Sequence, residues 1–200
     1  TLRTEKPEGE TISVLVGLNE SHEARLIASE IKQLLTEGIL ATEIAILFRT
    51  HFQSRALEEA CLHAEIPYQV LGVKFFERKE IKDLVSYIRA ALNPDSLSDI
   101  KRTINEPKRG IGKVALVKIF ARTINELSGV ALNGYREYMQ ILQDIRYLAG
   151  EKTPSEVVRF AIHRSGMFES YTNGSTDEQE RLETMEELVT YALRYDDMTI

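Results

Sequence analysis

The stretch EPKRGIGKVA, Glu106–Ala115, sets two glycines and three basic residues between a proline and an apolar run. How it is read decides the architecture on either side of it. A phosphate loop of a nucleotide hydrolase needs a glycine, four free positions, then Gly-Lys and a hydroxyl residue, because the backbone must turn tightly and the hydroxyl must hold magnesium. Aligning Gly112-Lys113 to that pattern puts Pro107 at the first glycine and Val114 at the hydroxyl. No other stretch fits better, so the phosphate-loop reading is excluded. Two readings remain open: a helix-hairpin-helix-like turn that grips DNA, or a plain link between helices.

The second half reads as helices around this turn. Ser96 with Asp99 starts a short helix that ends before Pro107, and Val117, Phe120, Ala121, Ile124 and Leu127 mark another after the turn. Earlier, Ile81, Leu84, Val85, Ile88, Ala91 and Leu92 form one apolar stripe at helical spacing, closed by NPD at 93–95. Later, Tyr138, Ile141, Leu142, Ile145 and Leu148 repeat the pattern. TPSE at 153–156 combines a cap, a first-turn proline and a capping-box glutamate, and Leu182, Met185, Leu188, Val189 and Ala192 mark a final helix.

The first half reads differently. TISVLVGL (11–18), EIAILF (43–48) and IPYQVLG (66–72) have strand composition. Between them lie a helical pattern from Ala24 to Leu35, capped by Asn19 or Ser21 and ended by Gly38, and a helix to about Ala64 opened by a Thr50/Gln53 capping box. Strand alternating with helix predicts an open parallel sheet. The expected fold class is therefore α/β followed by all-α, with the change near Asn93–Asp95.

Composition narrows the chemistry. The 200 residues are 43% hydrophobic and 28% charged, with net charge −6, which excludes a uniformly basic nucleic-acid binder. Yet Lys101, Arg102, Lys108, Arg109, Lys113, Lys118 and Arg122 face only Glu106 within their segment, and a local basic patch on an acidic protein can still meet phosphates. No apolar run approaches the roughly 20 residues of a membrane helix. The single cysteine, Cys61, excludes a disulfide framework, predicts a small buried side chain and fits a reducing cytoplasm. His22, His51, His63 and His163 lack partners at ligand spacing, so no metal site is expected. The start TLRTEKPEGE and the end RYDDMTI suggest a piece of a longer protein.

Two places carry candidate chemistry. In LFRTHFQSR (47–55), a strand runs into an aromatic and an arginine just before a helix. At the carboxyl end of a strand Arg49 would offer a planar donor fork, and Phe48 a stacking face. From spacing alone the pattern favours Phe48 in the core and Arg49 paired to a local glutamate. In the GIG turn, glycines and a helix N-terminus let backbone N–H groups approach a phosphate, with charge from Lys108, Arg109 and Lys113. Ile111 would plug the gap between the two helices.

AILFRTHFQSRALEE, IPYQVLGVKFFERKEIKDLVSYIRAALNP and NEPKRGIG follow one another at close spacing. Together they resemble superfamily 1 DNA helicases of the UvrD/PcrA/Rep type, densely over residues 43–113 and more weakly to the EQERLETMEELVTYA helix. The resemblance implies that residues 1–94 are part of the second RecA-like motor domain, with a partial parallel sheet. It implies that residues 95–200 are an incomplete helical accessory subdomain containing the GIG turn. Arg49 would contact the γ-phosphate of ATP, and Phe48, where the family usually has tyrosine, would stack on adenine. Gly110, Ile111 and Gly112, flanked by Lys108, Arg109 and Lys113, would contact duplex DNA. Arg78 and Lys79 of the FFERKEIKD signature receive no role beyond structure or strand contact.

The implied parent is an ATP-dependent 3′ to 5′ helicase using ATP and Mg²⁺. Its partners would be single-stranded DNA, duplex DNA and the remaining motor domains, with no membrane. Without a phosphate loop or acidic magnesium motif, the fragment is expected to bind no cofactor and to be inactive alone, and its sheet to be incomplete. The rival expectations are a nonenzymatic DNA-binding module and a degenerate helicase-like scaffold for protein interaction.

Overall fold

The computed structural model describes Gly9, residues 11–172 and residues 174–196. Residues 1–8, 10, 173 and 197–200, which include most of the Pro/Gly opening and the final MTI, lie outside the described residues. The chain divides into two compact units, Thr1–Arg49 with Gln53–Val70, and Thr50–Phe52 with Leu71–Ile200.

The expected parallel sheet is absent: the described residues contain helices, 3-10 turns and connecting segments, and no strand. In the first unit, α1 (Glu20–Thr36) packs on α2 (Ser54–His63). Ala24, Ala28 and Ile31 of α1 meet Ala56, Ala60 and Cys61 of α2, with Ile66 beside them. The Asn19 side chain accepts the His22 N–H and caps α1. Gly38, at φ +95°, follows its last turn.

Most of the segments read as strands lie here, and burial alternates along residues 43–47 and 66–70 but not along 11–16. Ile44 and Ile46 pack against the helices, while Leu47 is 93% exposed. Ile12, Val14 and Val16 are exposed throughout. Period-two apolar patterning specifies a backbone that shows one face to a helix layer, but a strand also needs a neighbour to complete its ladder. No such pairing forms among these residues, so the fold-class expectation of an α/β first half fails.

The second unit is helical, as its periodicity predicts. Its helices are α3 (Lys79–Leu92), α4 (Leu97–Thr103), α5 (Lys113–Phe120), α6 (Gly129–Ala149), α7 (Pro154–Arg164), α8 (Met167–Thr172) and α9 (Thr176–Ala192). Helix α3 packs against α4, α6, α7 and α9, so Ile81, Leu84, Tyr87, Ala90 and Ala91 are fully enclosed. Burying each large side chain of this set contributes about 1.5–3 kcal/mol. The expected capping box forms at α7, while at α4 Ser96 bonds a side chain rather than the helix backbone. Ser96 Oγ bonds Asp99 Oδ2 at 2.6 Å ahead of α4, and Glu156 accepts the Thr153 N–H at 3.2 Å in the capping box of α7. Ser175 and Glu178 form a second capping box at α9.

Candidate functional site

The two candidate places fall in different compact units: Phe48 and Arg49 in the first, residues 106–113 in the second. Phe48 is 39% exposed, so its ring is not a core side chain. Arg49 is exposed, and its backbone N–H donates to Gln53 Oε1 at 3.1 Å, which ties the segment to the start of α2. Among the described residues its guanidinium makes no ion pair. The position expected at the carboxyl end of a strand is therefore a segment without strand pairing that bends at Arg49 into the His51–Gln53 turn, with both side chains open to solvent.

The turn between α4 and α5 is held from beneath by polar side chains. Asn105 Oδ1 accepts the N–H of Arg109 at 2.7 Å and that of Ile111 at 3.2 Å. Ile111 is 1% exposed and joins the core of the helical unit, as a plug between two helices should. Gly110 sits at φ +71°, and a Cβ there would lie 2.4 Å from Val130 Cγ1, so a side chain meets both backbone strain and a clash. Gly112 is different. It is the N-cap of α5 at φ −79° and ψ 177°, and a Cβ there would meet nothing within 4 Å. The fold does not require glycine at 112, whereas a ligand approaching the N-terminus of α5 would profit from its bare backbone.

The basic residues of this region separate into two groups. Arg102 Nε lies 2.6 Å from Asp83 Oδ1, Lys118 is 3.5 Å from Glu126 Oε2, and Arg109 is buried at 8% exposure. Lys101, Lys108, Lys113 and Arg122 are exposed and make no ion pair among the described residues. Arg109, expected on the surface, is thus turned inward, while Lys108 and Lys113 flank the turn as expected.

Residues 1–199 match the family described as UvrD-like helicase C-terminal domain. The chain belongs to that family. It is 34% identical over 216 residues to the ATP-dependent DNA helicase PcrA of Bacillus subtilis, covering 98% of this chain and 29% of that protein. It is 33% identical over 207 residues to DNA helicase II of Escherichia coli, covering 94% of this chain and 29% of that protein. With the ATP-dependent DNA helicase UvrD1 of Mycobacterium bovis the identity is 35% over 214 residues, covering 96% and 27% respectively. The chain spans less than a third of the length of these relatives.

Within this UvrD-like domain, the residues that shape the turn from inside escaped sequence reading. Tyr87 of α3 places its hydroxyl on the carbonyls of Thr103 and Glu106, and the Tyr138 hydroxyl lies 2.7 Å from Thr103 Oγ1. Burial drives both tyrosine pKa values up, that of Tyr138 to about 12. Gly134 lets α6 approach so closely that a Cβ would lie 2.2 Å from the Arg109 carbonyl oxygen. The only signal for these was aromatic or small residues on helical stripes, which looks the same for any core.

A groove of about 640 Å³ lies between the N-terminus of α3 and the first turns of α9. Arg78, Lys79, Lys82 and Arg181 line it together with Asp177 and Glu180. Lys79 pairs with Asp83 at 3.0 Å and Glu106 at 3.1 Å, and Lys82 pairs with Glu77. Charges of both signs line the groove, so it offers no field that selects an anion. Among the described residues no cluster of three His, Cys, Asp or Glu could hold a metal, and no helix is long and apolar enough to cross a membrane.

Proposed function

We propose that this chain is part of an ATP-dependent DNA helicase that moves 3′ to 5′ along one strand in the cytoplasm. Residues 1–94 would belong to its second motor domain and residues 95–200 to its accessory subdomain. The observation that carries the DNA reading is the turn itself. It is rigidly anchored beneath, bare at Gly112, and flanked by Lys108 and Lys113, whose charges no group among the described residues neutralises. Backbone N–H groups and unpaired lysines of this kind hold phosphates without reading base sequence. In this reading Gly110 keeps the turn's shape, Ile111 seats it in the core, and Gly112 with the first turn of α5 meets the duplex backbone.

Phe48 and Arg49 suit one edge of an ATP site. An exposed ring can stack on adenine, and an unpaired exposed guanidinium can move onto the γ-phosphate without first breaking an ion pair. Arg49 would stabilise charge on the transferring phosphoryl group, as an arginine finger does. The phosphate loop and the Mg²⁺ ligands would come from elsewhere in the intact protein, along with the other motor domain. The isolated chain is accordingly proposed to be inactive. The deciding experiment compares DNA-stimulated phosphate release by the intact protein and by the chain alone. Turnover by the clean isolated chain would refute the assignment of roles, and so would an intact protein with no DNA-stimulated turnover.

A further inference from the structure

Arg109 is placed where a phosphate cannot reach its charge. Nη1 donates to the Pro107 carbonyl at 3.1 Å and lies 3.5 Å from that of Thr103, and Nη2 donates to the Ser165 carbonyl. These three oxygens belong to the turn, the end of α4 and the end of α7. The guanidinium carbon stands 5.8 Å from the ring centre of Tyr87 on α3 and 6.0 Å from that of Tyr138 on α6. Nε has no hydrogen-bond partner, and Glu137 Oε1 lies 3.9 Å from it, an ion-pair distance only. The backbone is fixed as tightly: the Arg109 N–H is held by Asn105 and its carbonyl lies against Gly134 of α6.

We propose that Arg109 is a positioning residue, which fixes the duplex-facing edge of the turn through helices α3, α4, α6 and α7 and makes no contact with DNA itself. This rests on reading the turn as a duplex contact. A buried cation is costly unless its donors are satisfied, and this one places Nη1 and Nη2 on main-chain carbonyls of separate segments, leaving only Nε without a hydrogen bond. Swinging out to a phosphate would strip the Pro107 and Ser165 carbonyls of these bonds, while that of Thr103 keeps the Tyr87 hydroxyl. The planar fork suits the job, because Nη1 and Nη2 reach Pro107 and Ser165 from two separate, fixed nitrogens, whereas lysine carries all its donors on one atom. The positive charge that meets DNA then comes from Lys108 and Lys113 alone, although the sequence sets Arg109 directly beside Lys108.

The test uses the intact protein, with Arg109→Lys, Arg109→Ala and Lys108→Ala. Fluorescence anisotropy reads affinity for a hairpin duplex and for a single strand across a salt series, and hydrogen exchange reads the amides of residues 105–112. Lys108→Ala is expected to lower the magnitude of the duplex salt slope by about one, the signature of a lost phosphate contact. Arg109→Lys is expected to lower duplex affinity by roughly tenfold, about 1.4 kcal/mol, with the salt slope and single-strand affinity unchanged and faster exchange across the turn. Arg109→Ala should do the same more strongly, and if it fails to fold the lysine variant decides. An Arg109→Ala slope reduced like that of Lys108→Ala would show direct phosphate contact and overturn the proposal. Wild-type exchange in the turn of Arg109→Lys overturns it too. If Lys108→Ala and Gly112→Val both bind duplex normally, the duplex reading fails, while the exchange data still judge the anchoring by Arg109.

Discussion

The two glycines of the turn look equivalent in sequence, and the structure predicts opposite consequences for their replacement. Gly110→Ala forces an L side chain into the left-handed region at φ +71°, at about 1–2 kcal/mol. It also sets a methyl group 2.4 Å from Val130 Cγ1. Overpacking of that kind costs about 1–3 kcal/mol, and the low end applies because Val130 is 71% exposed and can rotate away. The sum is on the order of 2–3 kcal/mol, which for a chain of this size lowers Tm by about 5–10 °C. Gly112→Ala adds a methyl group to open space on an ordinary extended backbone. Its change lies within about 0.5 kcal/mol, a Tm shift of about 2 °C or less. Circular dichroism melts of the chain separate the two, since most of the helix lies in the second unit. The DNA consequence runs the other way. Gly112→Val should fold normally and lose duplex affinity in the intact protein, because its side chain fills the space a phosphate would occupy. A Gly112→Ala variant as unstable as Gly110→Ala would refute the geometric reasoning, and normal duplex binding by a well-folded Gly112→Val would reduce the turn to a plain link.

In the intact protein, Arg49→Ala should lower kcat for DNA-stimulated ATP hydrolysis by about 10²- to 10³-fold with a smaller change in nucleotide binding; unchanged kcat in steady-state assays would remove Arg49 from the transition state. Phe48→Ala should mainly raise KM for ATP, since stacking is made equally in the ground and transition states, and a pure kcat effect would contradict that. At high pH the helical unit should weaken, because burial raises the Tyr138 pKa from 10.0 to about 12 and moves that of Tyr87 in the same direction. The unfolded state then loses its tyrosine protons first, so this stability is full below about pH 10 and is lost as pH rises toward 12. Tyrosinate absorbance should show titration coincident with unfolding, and two buried tyrosines titrating normally in folded protein would rule this out. Leu84→Ala, at a fully buried position of α3, should cost about 2–5 kcal/mol in denaturant unfolding, and a loss under 1 kcal/mol would show that α3 is not the core of its unit.

The helical unit was legible because a 3.6-residue stripe describes both the helix and the surface it buries. Ile81, Leu84 and Ala91 of α3, and Ile141, Leu142 and Ile145 of α6, are buried where the spacing puts them. The capping box of Thr153 with Glu156 was legible for the same reason, because it acts within a single turn. The absence of a sheet among the described residues was not legible, because a sheet's defining bonds are made to a neighbour that a one-dimensional pattern cannot test. EIAILF does direct Ile44 and Ile46 toward the helices, yet Leu47 on the other side remains exposed. The composition of EIAILF predicts a strand buried on both faces, whereas the segment forms no strand and buries only one side.

Charge was legible only as a sum. Lys108 and Arg109 are adjacent and equally basic, and nothing in their order says which one faces water. The decision lies in groups remote in sequence. Tyr87, Tyr138, Gly134 and the Ser165 carbonyl together build a niche that accepts a planar, weakly hydrated cation, and only Arg109 is placed to fill it. Arg102 and Lys118 are likewise engaged by Asp83 and Glu126. The basic run of seven therefore presents four cations without an ion pair among the described residues, Lys101, Lys108, Lys113 and Arg122. If all four met phosphates, the duplex salt slope of this segment would be about −0.9 per contact, near −4 in total. A slope near −6 or steeper, traced to residues 101–122 by neutralising them together, would mean that the cations now engaged internally reach DNA after all.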